Sequence, residues 1–222
     1  MIVQPPHAAS GIKLVCFDLG GVLVRIVDGW PSACAAAGVP FPPALADEPT
    51  RQRVQQLYLD AEVGRLSGAE FMHAAAERLR LPCEHVTRIV TAWLLGPQPG
   101  CGNLLGRLRD RGVRTACLSN TFEHHWRQLT AAGPFGELDL GLLTHRCASH
   151  LIGAAKPDAA AFAHVEHVSG CEPGEILFFD DTLSNVDAAR ARGWRAVHID
   201  TRKPTVEQME RHLAHFGLLD RG

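Results

Sequence analysis

The run Leu14-Val15-Cys16-Phe17-Asp18-Leu19-Gly20-Gly21-Val22-Leu23 passes from four apolar residues to an acid and then to a glycine-rich turn. A short continuous apolar run is what a parallel strand buried on both faces shows. Asp18 then ends the strand and is held at the rim of a sheet. In open α/β sheets, ligands bind outside the carboxyl ends of the strands. The same residue type also serves as a cap or turn former, so its weight depends on what else reaches that rim.

Working outward, residues 25–96 show little strand character. They are rich in Ala, Leu, Gln, Glu and Arg, with helical spacing in Val54, Leu57, Tyr58 and Ala61 and again in Phe71, Ala74, Ala75, Arg78 and Leu79. Prolines at 31, 40, 42, 43, 49 and 82 divide the segment into separate helices. After Pro97 and Pro99 the pattern alternates. Helices are predicted over 104–111, 123–132, 159–168, 186–192 and 206–216. Strands are predicted over 115–118, 140–143, 176–179 and 196–199. Strands separated by helices imply right-handed crossovers and a doubly wound parallel sheet, an α/β fold. Its core is expected to comprise 11–24 and 97–222, with 25–96 as a small α-helical cap inserted over the rim. The first ten residues read as a loose tail.

The bulk composition bounds the function. A chain of 222 residues with 46% hydrophobic content can bury a real core. A net charge of −2 gives no electrostatic case for nucleic acid or a membrane surface. The arginines at 107, 109, 111 and 114 read as a solvated helix face. Seven cysteines without a CxxC pair indicate neither a zinc site nor a disulfide framework. With no apolar leader before Ile12 and no run long enough to span a bilayer, a cytoplasmic protein is expected. Nothing in the chain reports its oligomeric state.

Four polar landmarks lie at strand ends or in loops that can return to one rim. They are Asp18, the run Ser119-Asn120-Thr121, the run Lys156-Pro157-Asp158, and the pair Asp180-Asp181. Each has a structural reading beside the chemical one: a turn, an N-cap, a helix start and a capped acid pair. Together they form a coherent set. Three converging carboxylates repel one another without a cation, and hard oxygen ligands favour Mg²⁺. Lys156 would neutralise the remaining charge and hold an anionic substrate. Ser119 can donate to a phosphoryl oxygen, and Asp18 is placed to attack phosphorus.

These residues resemble the haloacid dehalogenase-like hydrolase superfamily. The likeness runs from Phe17-Asp18-Leu19-Gly20-Gly21 through Leu118-Ser119-Asn120-Thr121 and Lys156-Pro157-Asp158. It ends in Phe179-Asp180-Asp181-Thr182-Leu183-Ser184-Asn185-Val186-Asp187. His125-Trp126 and Glu62-Val63-Gly64-Arg65-Leu66-Ser67 look most like the branch of sugar-1-phosphate phosphatases and the phosphatase domain of epoxide hydrolases. The resemblance implies a Rossmann-like core, Mg²⁺ dependence and hydrolysis of a small phosphorylated metabolite. It makes Asp18 the nucleophile and a metal ligand, with Ser119, Asn120 and Lys156 binding phosphate. Asp181 would ligate the metal directly, Asp180 directly or through water, and Gly20 through its main-chain carbonyl. Asn185 would support the metal loop or phosphate.

Gly20 is the departure. The common pattern has an acid two residues after the nucleophile, which protonates the leaving group and then activates water. Losing such help costs about 10²–10⁴-fold. Glu62, His124, His125, His145 and His150 are the side chains that could replace it, although packing is the plainer reading of the histidines. The leading expectation is a Mg²⁺-dependent phosphatase. A catalytically impaired ligand-binding or regulatory protein is the alternative, followed by a metal-free 2-haloacid dehalogenase.

Overall fold

The computed structural model describes residues 11–131 and 138–220. Its strands are β1 (Leu14–Phe17), β2 (Val24–Ile26), β3 (Leu94–Pro97), β4 (Thr115–Ser119), β5 (His145–Ala148), β6 (Ile176–Asp180) and β7 (Arg195–His198). The helices before β3 are α1 (Gly29–Ala37), α2 (Glu48–Glu62), α3 (Gly68–Leu79) and α4 (Cys83–Thr91). After it come α5 (Cys101–Asp110), α6 (Glu123–Thr130), α7 (Ser149–Ile152), α8 (Ala159–Ser169), α9 (Leu183–Ala191) and α10 (Thr205–His215).

β1 lies at the centre of a parallel sheet in the order β5-β4-β1-β6-β7. Successive side chains of a strand point to opposite faces, and β1 shows what each face meets. Val15 and Phe17 join Cys117, Leu177 and Phe179 against Leu104, Leu105 and Leu108 of α5 and Met209 and Leu213 of α10. Leu14 and Cys16 join Leu118 and Phe178 against Phe162 and Val165 of α8 and Val186 of α9. Both faces are covered, as an all-parallel sheet requires. The fold is α/β, with five parallel strands flanked by helices.

The strand expected over 140–143 is not there. Leu140–Leu142 forms a 3-10 turn whose start is capped by Asp139, which accepts from Gly141 N at 2.7 Å. The fifth strand is β5, at the sheet edge, where Thr144 N donates to Thr115 O at 2.8 Å and Cys147 pairs with Leu118. An edge strand carries little apolar load, so His145 and Arg146 left no hydrophobic run to read. The expected helix over 123–132 ends at Thr130, and Ala132 and the first ten residues lie outside the described part.

Helices α1 to α4 fall between β2 and β3, which pair antiparallel as a separate two-stranded ribbon. These strands of three and four residues were too short to stand out within a helical composition. Local signals start the helices where they do. Asp47 caps α2, and Ser67 with Glu70 forms a reciprocal capping box on α3. The block packs around Val54, Phe71, Ala75, Leu79 and Val86, together with Phe122 from the loop after β4. Trp30 and Trp93 meet edge-on at 5.7 Å between ring centroids. Among the described residues, no helix is long and apolar enough to cross a membrane.

Candidate active site

Because β1, β4 and β6 run parallel side by side, the residues at their carboxyl ends share one rim. Asp18 follows β1, Ser119 closes β4 and Asp180 closes β6. The sheet register ties them directly, since Asp18 N donates to Phe179 O at 2.8 Å. Lys156 reaches in from the loop between α7 and α8. Its Nζ donates to Asp18 Oδ1 at 2.9 Å and to Asp180 Oδ2 at 2.7 Å, with the lysine and Asp180 side chains almost wholly buried.

Asp180 gathers several donors. Its Oδ1 accepts from Thr182 N at 2.8 Å, and Asn185 Nδ2 donates to both oxygens at 3.1 and 3.2 Å. Asp181 sits one residue farther out, and its main-chain carbonyl meets His198 Nε2 at 2.9 Å. Oxygens from Asp18, Asp180 and Asp181 lie within 4.8 Å of one another. An anionic, all-oxygen donor set suits a hard divalent cation.

The electrostatics are those of a cluster short of positive charge. Burial raises the Asp18 pKa, Lys156 opposes that, and Asp180 and Asp181 add to it. Asp181 is raised by burial and then by Asp180. Burial alone would lower Lys156, but Asp18 and Asp180 outweigh it and hold the ammonium charged.

The two adjacent glycines behave differently. Gly21 has φ +74°, and a Cβ there would lie 2.6 Å from Asp181 Cγ, inside the carboxylate. Glycine is therefore what lets the turn after β1 approach the acid pair. At Gly20 the backbone is not left-handed, and a Cβ would meet only Ile26 Cδ1 at 3.6 Å. A Cβ fits there, and this chain carries none.

A model of the haloacid dehalogenase-like hydrolase family matches residues 12–193. The chain belongs to that family. It is 28% identical over 164 residues to Phosphatase MT3486 of Mycobacterium tuberculosis (strain CDC 1551 / Oshkosh), covering 72% of this chain and 74% of the relative. It is also 28% identical over 192 residues to Sesquiterpene phosphatase astK of Aspergillus oryzae, covering 84% and 89%. Among solved structures, the HAD family enzyme BT-2542 of Bacteroides thetaiotaomicron, in complex with magnesium and inorganic phosphate, superposes with a TM-score of 0.73. That match covers 86% of this chain and 96% of the other at 22% identity, a likeness of fold.

Other residues of this haloacid dehalogenase-like hydrolase brace the rim in ways the sequence left unread. Asn120 makes reciprocal bonds with the main chain of Lys156, donating to its O and accepting from its N, both at 2.8 Å. Its amide holds the lysine in place. Ser149 Oγ accepts from Thr121 N at 2.9 Å and donates to Thr121 O at 3.0 Å, which clamps the loop after β4. No local pattern announces either pair, because each joins residues remote in the chain.

The histidines are engaged elsewhere. His125 is buried with Nε2 at 2.9 Å from Val90 O, and burial pushes its pKa down to about 4. His124 meets Thr91 Oγ1, His145 meets Arg114, and His150 Nδ1 meets Thr121 O. Of the basic cluster, Arg107 pairs with Glu210, Arg109 with Asp110 and Arg111 with Asp220. Arg114 donates to Ser169 O at 2.7 Å.

Proposed function

We propose that this hydrolase is a Mg²⁺-dependent phosphatase that removes the phosphoryl group of a small phosphorylated metabolite through an aspartyl-phosphate on Asp18. The observation that carries this reading is the meeting of three carboxylates within 4.8 Å beside Lys156. The two phosphatase relatives and the magnesium and phosphate bound to BT-2542 support the same chemistry. The sugar-1-phosphate branch is a narrower form of the proposal, resting on the Glu62–Ser67 motif.

Asp18, Asp180, Asp181 and the Gly20 carbonyl would hold the magnesium, which when bound stabilises charge on the phosphoryl oxygens. Lys156 binds one phosphoryl oxygen and keeps Asp18 oriented through its 2.9 Å bond. Asn120 fixes the lysine, and Ser119 at the adjoining strand end donates to a second oxygen. A carboxylate oxygen of Asp18 then forms a bond to phosphorus while the bond to the leaving oxygen breaks. Water attacks the aspartyl-phosphate in the second half, releasing inorganic phosphate and freeing Asp18. Helices α1 to α4, within 25–96, act as a cap over the core of 11–24 and 97–222. Gly68 N donates to Glu123 Oε2 at 3.1 Å and Gln128 Nε2 to Thr91 O at 3.2 Å across that boundary.

Two rivals differ by specific residues. Gly20 favours a protein that binds phosphate without turning it over, since the usual acid is missing. A metal-free dehalogenase is disfavoured, because Asp180 and Asp181 would face Asp18 with only Lys156 to offset them. Phosphate release from a panel of phosphorylated metabolites, with and without Mg²⁺, separates these. Metal-dependent release that disappears in Asp18→Asn is the expected result. Release that survives in Asp18→Asn would refute the nucleophile.

A further inference from the structure

The last residue of α2 is a buried acid that the proposed chemistry has not used. Glu62 is only 7% exposed. Tyr58, one helical turn earlier, sets its hydroxyl beside the Glu62 carboxylate. Among the described residues Glu62 forms no ion pair, and the charged group whose field reaches it is Lys156, the lysine bonded to Asp18.

The backbone after Glu62 holds it against the core. Gly64 has φ +72°, and a Cβ there would lie 2.5 Å from His150 O. The turn leaving α2 is therefore pressed onto α7. Residue 150 is bonded in turn to Thr121 O, and Ser149 brackets the same residue. Thr121 lies two residues past Ser119, so the C-terminal end of α2 is docked over the phosphate side of the rim.

Tyr58 also borders a cavity of about 240 Å³, lined with Trp30, Phe71, Val90, Trp93 and His125. Tyr58 thus links the cavity to Glu62, and the field of the phosphate-binding lysine reaches the same acid. Burial raises the acid to about 7, and the negative end of the α2 dipole also disfavours the anion. Glu62 can thus carry a proton at neutral pH.

We propose that Glu62 is the general acid and base that Gly20 cannot be, with its leaving group seated in the Tyr58-lined cavity. The Glu62 O–H gives its proton to the leaving oxygen as the bond from that oxygen to phosphorus breaks. The resulting carboxylate takes a proton from the water that attacks the aspartyl-phosphate, and the cycle closes with Asp18 free and Glu62 protonated. The proposal rests on the phosphatase reading above.

The test compares a simple alkyl phosphate with p-nitrophenyl phosphate, whose leaving group departs without protonation. In single-turnover release of the leaving group, which reads the first step alone, Glu62→Gln is expected to lose about 10²–10⁴-fold on the alkyl ester and less than about 10-fold on p-nitrophenyl phosphate, while hydrolysis of the aspartyl-phosphate slows alike for both. Adding Gly20→Asp to that variant is expected to restore alkyl ester hydrolysis, because a Cβ at position 20 meets nothing closer than 3.6 Å. Equal single-turnover losses on both esters without rescue, or no loss on the alkyl ester, would overturn the role of Glu62 while leaving the phosphatase intact. Wild-type protein inert toward both esters with Mg²⁺ present would overturn both readings.

Discussion

Alanine at Gly21 and alanine at Gly20 are expected to change stability in opposite directions. At Gly21 the backbone is left-handed, which costs an L residue about 1–2 kcal/mol. The new Cβ would also lie 2.6 Å from Asp181 Cγ, so the carboxylate must swing away from the acid cluster. Displacing one of the four proposed ligands is expected to weaken Mg²⁺ binding by about 10–100-fold, on the scale seen when ligand orientation is lost. At Gly20 the backbone suits alanine and the nearest atom is Ile26 Cδ1 at 3.6 Å. Fewer unfolded conformations then stabilise that variant by about 0.4–1 kcal/mol. The two variants should therefore differ by about 2 kcal/mol. Urea unfolding with matched slopes measures the stabilities, and isothermal titration measures the Mg²⁺ affinity. A Gly21→Ala protein as stable as Gly20→Ala, with unchanged Mg²⁺ affinity, would refute the close approach of this turn to Asp181.

Lys156→Met leaves Asp18 and Asp180 buried without their cation, and should destabilise the metal-free protein by about 3–5 kcal/mol. Mg²⁺ should recover part of that loss, and thermal unfolding with and without the ion checks both expectations. Asn120→Ala removes two bonds to the Lys156 main chain. At about 0.5–1.5 kcal/mol each, it should lower stability by 1–3 kcal/mol and raise the inhibition constant for inorganic phosphate. His125 gives a pH signature. Its pKa falls from 6.5 to about 4 on folding, so its contribution is present above 6.5 and lost as pH drops through 4. That difference amounts to about 3 kcal/mol. His125→Gln should flatten unfolding free energy against pH in this window, and an unchanged profile would argue that the imidazole is not held neutral.

Much of the rim was legible before any coordinates. A strand buried on both faces must be an apolar run, so the acids after Phe17 and Phe179 had to stand at strand ends. Glycine stops and proline breaks marked the helices for the same local reason. The edge strand β5 and the ribbon of β2 with β3 leave no such trace, since short or half-exposed strands need no apolar run. Tertiary structure alone decided how Asn120 is spent, that Gly21 is confined by Asp181 while Gly20 is free, and that Glu62 is buried near Lys156. Periodicity reports which way a residue faces within its own element, a matter of neighbouring side chains. Which remote side chain it then meets depends on how separate elements pack, and no local pattern encodes that distance.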